Sequence, residues 1–371
     1  MLGVPDVKFS LTLLLLYMGY VRYRRFQRLK NIQNQYSRIW KEGKLEPEQA
    51  QEIIQNYLFY EHPIIIQLGT QSALIKVYAL PSFARLLVRT GQLKSPDSIS
   101  KRVADTATLI ATWLSCPLIR PGTSSDPDSD PRGAIAVARV NYLHRKYKIS
   151  NDDFLYNLGL FIQEPLDWVA RYDWRRPDDL ERDATFIFWK EIGMRMGIQN
   201  IWGDRKEMVE WIKEYENLHL VPSSDSEILA NTTISFFLRR FPAVLGIRPF
   251  FRNIALTLLA DRHRTTMGLP DPPRIFRIAI PLILKFRGPG LIGAVVDALF
   301  PESQGLRRLW EKTLVRLNLA NPDKFPGPKW KSQGYRLEEL GPIEFENQGH
   351  EEVLEMAAKL QGCPIKGQWG I

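Results

Sequence analysis

The stretch RVNYLHRKYKISNDDFLYNLGLFIQEPLDWVARYDWR, residues 139 to 175, carries two helical periods separated by a short polar break. At 100° per residue, Val137, Val140, Leu143, His144 and Tyr147 fall in one stripe, with Ala136 inside it. Arg139, Asn141, Arg145 and Lys146 occupy the rest of the circumference. The period turns His144 inward with the aliphatic residues and sets Arg139 near the opposite edge. An inward histidine is either a core residue bonded to a carbonyl or a metal ligand, and on the period alone both readings stand. Beyond the break, Ser150, Asn151 and Asp152 are candidate N-caps, and Phe154, Leu155, Leu158, Phe161 and Ile162 form a second stripe. Gly159 borders that stripe and, lacking a Cβ, admits either a neighbouring helix or a flat ligand close to the backbone. Glu164 directly precedes Pro165, which predicts a kink or break and a carboxylate beside a disrupted turn. The plainer alternative for Glu164 is a solvent pair with Arg171.

Outward from this stretch the same period recurs. EPEQAQEIIQNYLFYEH (46–62) reads as a helix opened by Pro47, and TQSALIKVYALPSFARLLVRTG (70–91) as two pieces broken at Pro81 and stopped by Gly91. SISKRVADTATLIATWLS (98–115) presents Val103, Thr106, Leu109, Ile110 and Trp113 on one face. Further helices are predicted over 178–197, 204–219, 226–241 and 250–268. No strand series or internal repeat intervenes, so the predicted fold class is all-α. RPGTSSDPDSDPRG (120–133) is the clearest loop. Its Asp126, Asp128 and Asp130 have calcium-loop spacing, but Pro131 replaces the turn glycine and Val137 the bidentate glutamate, so calcium is rejected. The apolar segment 275–300 is broken at Gly288-Pro289-Gly290 into pieces too short to span a bilayer, which predicts a core hairpin or interfacial helices. NPDKFPGPKW (321–330) reads as a linker. The predicted organisation is a membrane anchor with its basic flank over 1–30, a helical domain over 31–320, and a linker and tail over 321–371.

Hydrophobic residues make up 44% and charged residues 25% of the 371-residue chain, which sets aside disordered and fibrous classes. The net charge is +9, and the densest basic cluster, RYRRFQRLK (22–30), follows an apolar run. That context suits a membrane surface better than nucleic acid. Neither zinc-finger spacing nor an RNP-like motif speaks for nucleic acid. The two cysteines, Cys116 and Cys363, imply no disulfide framework and suit a reducing compartment. The run FSLTLLLLYMGYV (9–21) falls short of the roughly 20 apolar residues of a full span. It lacks the small residues of a signal-peptide cleavage site and the polar face of a buried soluble helix. It is read as a short uncleaved anchor, extended by residues 3–7 and by interfacial Tyr20, Tyr23 and Phe26, with the remainder of the chain in the cytosol.

The stretch 139–175 resembles the core of the endoplasmic-reticulum-bound oxygenase MpaB family, which is similar to the bacterial rubber oxygenases. GTQSALIKVYALPSFARLLVRTGQL (69–93), KRVADTATLIATWL (101–114) and DLERDATFIFWKEIGMRMGI (179–198) fit the family in the same order. So do ADRHRTTMGLPDPP (260–273) and SQGYRLEELGPIEFENQGHEEVLEMAAKL (332–360). The resemblance implies a globin-like helical bundle that holds haem b, uses O₂ and cleaves isoprenoid double bonds oxidatively to carbonyl products. Carried over by position, Arg139 opens the family's central motif and His144 closes it. Tyr142 and Leu143 stand where the rubber-cleaving branch has a lysine and a threonine beside the haem. That branch takes its proximal histidine from the following helix, whereas here Gly159 and Leu160 occupy the corresponding place and no histidine lies between Arg145 and Leu218.

The resemblance makes His144 the candidate metal ligand. Arg139, Arg145 and Lys146 become candidate propionate partners, Gly159 a point of close ligand approach, Glu164 an acid/base group and Tyr142 a hydrogen-bond donor. His263, His62, His219 and His350 are weaker ligands by position, and Cys116 lacks the loop of thiolate-haem oxygenases. The expected function is a membrane-anchored, haem-dependent oxygenase of the endoplasmic reticulum membrane, facing the cytosol. Its substrate would be a small lipophilic molecule of isoprenoid or polyketide origin in secondary metabolism. The alternatives are a non-catalytic membrane-associated binding protein and a cyclase or isomerase on the same fold. Nothing in the sequence sets an oligomeric state.

Overall fold

The computed structural model describes residues 7–93, 95–118, 130–239, 241–287 and 335–365. Helices α1 (Val7–Lys41) and α2 (Pro47–Asn56) come first, and α2 runs into a π-helical turn at Tyr57–Glu61. α1 contains no glycine or proline after Gly19, so nothing stops it at the basic flank. Its second half joins the body of the protein. Tyr36 is buried and donates to Glu52, Gln33 donates to Asp178 (2.7 Å), and Trp40 Nε1 donates to Asp183 (2.9 Å). The boundary expected at residue 30 therefore falls inside one helix. Among the described residues no helix is long and apolar enough to cross a membrane, since arginines cut the apolar run short; residues 3–6 of the expected anchor lie outside the described residues.

α3 (Pro63–Lys76) tightens into a 3₁₀ turn at Val77–Ala79 before Pro81 opens α4 (Pro81–Thr90). α5 (Pro96–Ser115) is capped by Ser95 in a capping box. α6 (Arg132–His144) is the most enclosed helix, buried without interruption from Gly133 to Val140. In α7 (Asn151–Tyr172) the Ser150 hydroxyl accepts from the Asp153 amide (3.0 Å), and two aspartates favour the positive end of the helix dipole. α7 passes unbroken through Pro165, where the sequence predicts a kink or break. The proline removes one helical hydrogen bond, but α3 braces the helix there. A Cβ on Gly69 would lie 2.7 Å from Pro165 Cα, so the α3–α7 crossing closes only around a glycine.

α8 (Asp179–Arg195), α9 (Arg205–His219) and α10 (Ser224–Leu238) follow with aspartate or serine N-caps. The helix predicted over 250–268 is two helices, α11 (Ile247–Leu258) and α12 (Asp261–Thr266), with extended backbone at Leu259. Arg264 binds both Asp261 and Asp271 and fixes the corner. α13 (Arg274–Arg287) packs on α7 and α11. The last helix, α14 (His350–Gln361), lies on α6 with Val353 and Ala357 buried, so the predicted tail completes the core. Most of the loop 120–133, the glycine break at 288–290 and the linker 321–330 lie outside the described residues.

Beside the π-turn, Arg175 bridges two enclosed carboxylates, donating to Glu61 Oε2 (2.9 Å) and Glu181 Oε2 (2.6 Å). Removing the guanidinium leaves both acids buried without their cation. Arg175→Ala is expected to cost about 3–5 kcal/mol, read as a lowered urea midpoint with unchanged helical circular dichroism in the absence of denaturant.

Candidate active site

The last residue of α6, His144, turns its ring onto Phe154 of α7, with centroids 5.5 Å apart and planes tilted by 46°. Its Nδ1 is buried and has no hydrogen-bond partner. Burial, and next the charge of Arg102, push the imidazole pKa down to about 4, so the ring is neutral at physiological pH and available as a ligand. Arg102 comes from α5. Burial also lowers its pKa, and the electrostatic partners that raise it are the phenols of Tyr78 and Tyr147. Among the described residues Arg102 forms no ion pair, whereas the enclosed Arg175, Arg195 and Arg264 each meet a carboxylate and Arg139 meets three backbone carbonyls. Tyr78, on the turn after α3, is pushed up by burial and keeps its proton, as is Tyr147. Tyr78, Arg102 and His144 lie deep among protein atoms, yet each keeps part of its surface accessible; Arg102 of α5 lies close enough to act electrostatically on both Tyr78, on the turn after α3, and His144, at the end of α6.

The other sequence-predicted residues lie elsewhere. Arg139 is fully buried, not at the polar edge, and its guanidinium is committed to the C-terminal segment. Nε donates to Leu340 O (2.6 Å), one terminal nitrogen to Gln348 O (2.9 Å), and the other to Phe345 O (2.7 Å). Tyr142 packs on Gly349, with Arg139 and Lys146 over its ring at 5.2 and 4.4 Å. Arg145 pairs with Glu352 at the surface (2.5 Å). Arg139, Tyr142, Arg145 and Lys146 thus form one cluster that fastens the C-terminus. Gly159 does not face a flat ligand: a Cβ there would meet Ile212 Cδ1 at 2.6 Å and Trp202 at 3.2 Å, so α9 fills the space.

Glu164 lies ten residues beyond Phe154, about 15 Å along α7 at 1.5 Å per residue. It is neither solvent-exposed nor paired with Arg171. Ser72 donates to it at 2.9 Å and Trp168 Nε1 at 3.0 Å, and Lys76 forms an ion pair with it. A third buried group joins α7, α9 and α12. Tyr156 donates to Glu216 (3.1 Å) and lies 3.0 Å from His263 Nε2, which is 3.2 Å from the same carboxylate. Burial raises the Glu216 pKa, but the hydrogen bonds from His263 and Tyr156 hold it below the usual carboxylate range overall. Arg102, Tyr78, Lys76, Tyr156 and Glu216 are not singled out by the sequence, which marks His263 only as a weaker ligand. Arg102 carried a signal, since it shares a helical face with Thr106, Leu109 and Trp113 at spacings of four, seven and eleven. A surface groove of about 500 Å³, lined by Ile99, Asn231, Thr232, Ser235, Phe236, Arg239 and Arg248, does not reach His144.

A family model described as "ER-bound oxygenase mpaB/B'/Rubber oxygenase, catalytic domain" matches residues 66–283, a span that contains His144, Arg102, Glu164 and His263. The ER-bound oxygenase mpaB' of Penicillium brevicompactum is 27% identical over 346 residues, covering 81% of this chain and 79% of its own. The ER-bound oxygenase mpaB of Penicillium roqueforti (strain FM164) is 31% identical over 240 residues, 60% of this chain and 76% of its own. The mpaB oxygenase of Penicillium brevicompactum is 31% identical over 237 residues, 59% of this chain and 57% of its own.

The state of His144 gives the protein an acid-side instability. Its folded pKa of about 4 lies below the usual 6.5, so between these values the unfolded chain binds the extra proton. Stability is therefore full above pH 6.5 and falls as the pH drops towards 4, by at most about 1.4 kcal/mol per pH unit. Urea midpoints of the metal-free protein, measured between pH 7 and 4.5, should show a shallower decline for His144→Gln than for the native chain.

Proposed function

The chain belongs to the MpaB and rubber oxygenase family, and on that premise we propose that it is a haem-dependent oxygenase acting on a small lipophilic substrate. The observation that carries the reading is a neutral, unpartnered imidazole beside an arginine that no carboxylate neutralises. Leaving such groups enclosed and unmatched costs stability unless a ligand completes them. Haem b fits both: an iron takes a neutral imidazole nitrogen, and a propionate takes a cation. His144 would hold the iron and Arg102 a propionate, a role the sequence reading assigned to Arg139, Arg145 and Lys146. The chemistry such a group supplies when bound is the binding and activation of O₂.

The chain's own contributions follow from the geometry. Phe154 fixes the plane of the His144 ring. Arg102 holds positive charge near His144 and stays protonated despite burial. Tyr78 and Tyr147 keep their protons and serve as hydrogen-bond donors, the task the sequence reading gave to Tyr142. Gly159 is closed off by Ile212 and Trp202, so His144 would be the histidine that holds the iron. Glu164 acts through structure: its carboxylate locks α3 to α7 and carries no acid/base step here.

Isoprenoid or polyketide-derived molecules are the proposed substrate class, with oxidative cleavage of a double bond as the proposed outcome. The relatives' designation as ER-bound supports association with the endoplasmic reticulum membrane, which concentrates such molecules. Reconstitution with haem tests the proposal. The native chain should give a Soret band, His144→Ala should lose it, and Arg102→Ala should weaken haem binding about tenfold. Full haem occupancy with an unchanged Soret band in His144→Ala would refute the ligand assignment. A native chain that binds no haem would favour a non-catalytic binding protein, and product formed without ¹⁸O from ¹⁸O₂ would favour a cyclase or isomerase.

A further inference from the structure

Among the described residues, an apolar surface bordered by basic residues is exposed on α13 and the turn before α11. Around α13, Ile275, Ile278, Leu282 and Ile283 share one stripe and are 67%, 63%, 47% and 58% exposed. Ile280 faces the other way and is buried against the body of the protein, which α13 meets through α7 and α11. Arg274, Arg277 and Lys285 lie together along one edge of the stripe and are exposed. The surface continues onto α11, where Phe250 is 49% exposed and packs edge-on against Phe276 of α13 (5.3 Å). At the head of α11 the chain presents Leu245, 95% exposed, from a left-handed conformation (φ 55°) that a leucine rarely adopts.

We infer that this face docks in the plane of an anionic lipid bilayer, with the α13 stripe and Leu245 entering the headgroup boundary. Charge selects this occupant. Isoleucines and leucines beside a basic edge match a surface that offers acyl chains below and anionic headgroups above, and the arginine and lysine stems reach outward along it. The helix lies flat: its 14 residues are too few to span, and one face is already used by the protein. α13 packs on α7, the helix that carries Phe154, so the docking face belongs to the same helical body as the candidate site. The inference deepens the proposed membrane association and assigns it a surface other than α1.

The test uses the full chain, floated with phosphatidylcholine vesicles with or without phosphatidylserine. With Cys363 replaced by serine and Cys116 buried, Ile278→Cys and Leu245→Cys each take an environment-sensitive fluorophore, and Glu351→Cys on α14 serves as the control. The expected result is a blue shift at both positions, stronger with phosphatidylserine and weakened by salt, with quenching by lipids spin-labelled near the headgroup and no change at the control. Ile278→Asp combined with Ile283→Asp should lower vesicle binding by about tenfold or more. Flotation with both probes still in water would overturn the docking face and leave membrane association to another element. Failure to float would overturn both. A dimer detected by sedimentation and dissolved by the double variant would give the face to a second copy of the chain and overturn the lipid assignment.

Discussion

The crossing of α3 and α7 is the constraint on which the rest of the molecule depends. Gly69 brings the two backbones together at Pro165, the one place where α7 lacks a donor of its own. One to two turns away, Lys76 and Ser72 reach across to Glu164, and Trp168 closes the group from the same helix. A carboxylate enclosed in this way is held by three donors and has a single geometry that satisfies them all. It fixes α7 in both translation and rotation. The turn after α3 then carries Tyr78, and α7 delivers Phe154 from its start onto the ring of His144.

Enclosed charges in this protein fall into two groups. Arg175, Arg139 and Lys76 are matched by carboxylates or carbonyls of segments distant in sequence, and Arg264 by two aspartates close to it along the chain. Arg102 and His144 are enclosed but unmatched. The first group defines a rigid frame. The second is the pair that the proposed cofactor would complete, held in place by that frame. Stability and function thus use the same residue types and differ in whether their hydrogen bonds are complete.

Much of the helical architecture was legible because its signals are local. Caps such as Ser95, Ser150 and Asp178, the Pro81 break and the Gly91 stop lie within a turn of what they control. The inward face of His144 was legible for the same reason. Arg139 was misread because the wheel treats a guanidinium as a solvent group, whereas the carbonyls that receive it belong to residues 340 to 348. The break that Pro165 allows does not occur, since Pro165 is braced by Gly69 from another helix. The division of 250–268 depends on Arg264 turning a corner between two aspartates, which no period records. Arg102 shared the apolar face of α5, and the Tyr156–Glu216–His263 group required three helices to converge.

The grip of Arg139 on the C-terminal segment also has a consequence in time. The carbonyls it binds are made some two hundred residues after it, so during synthesis α6 emerges with a bare guanidinium that the finished core must bury. Until the segment leading into α14 has been translated, the centre of the protein lacks the acceptors that close it. Contacts of such long sequence separation form late. The nascent chain must therefore wait, with α6 ungated, for almost its last helix, and in that interval the emerging polypeptide is most exposed to capture by chaperones or proteases.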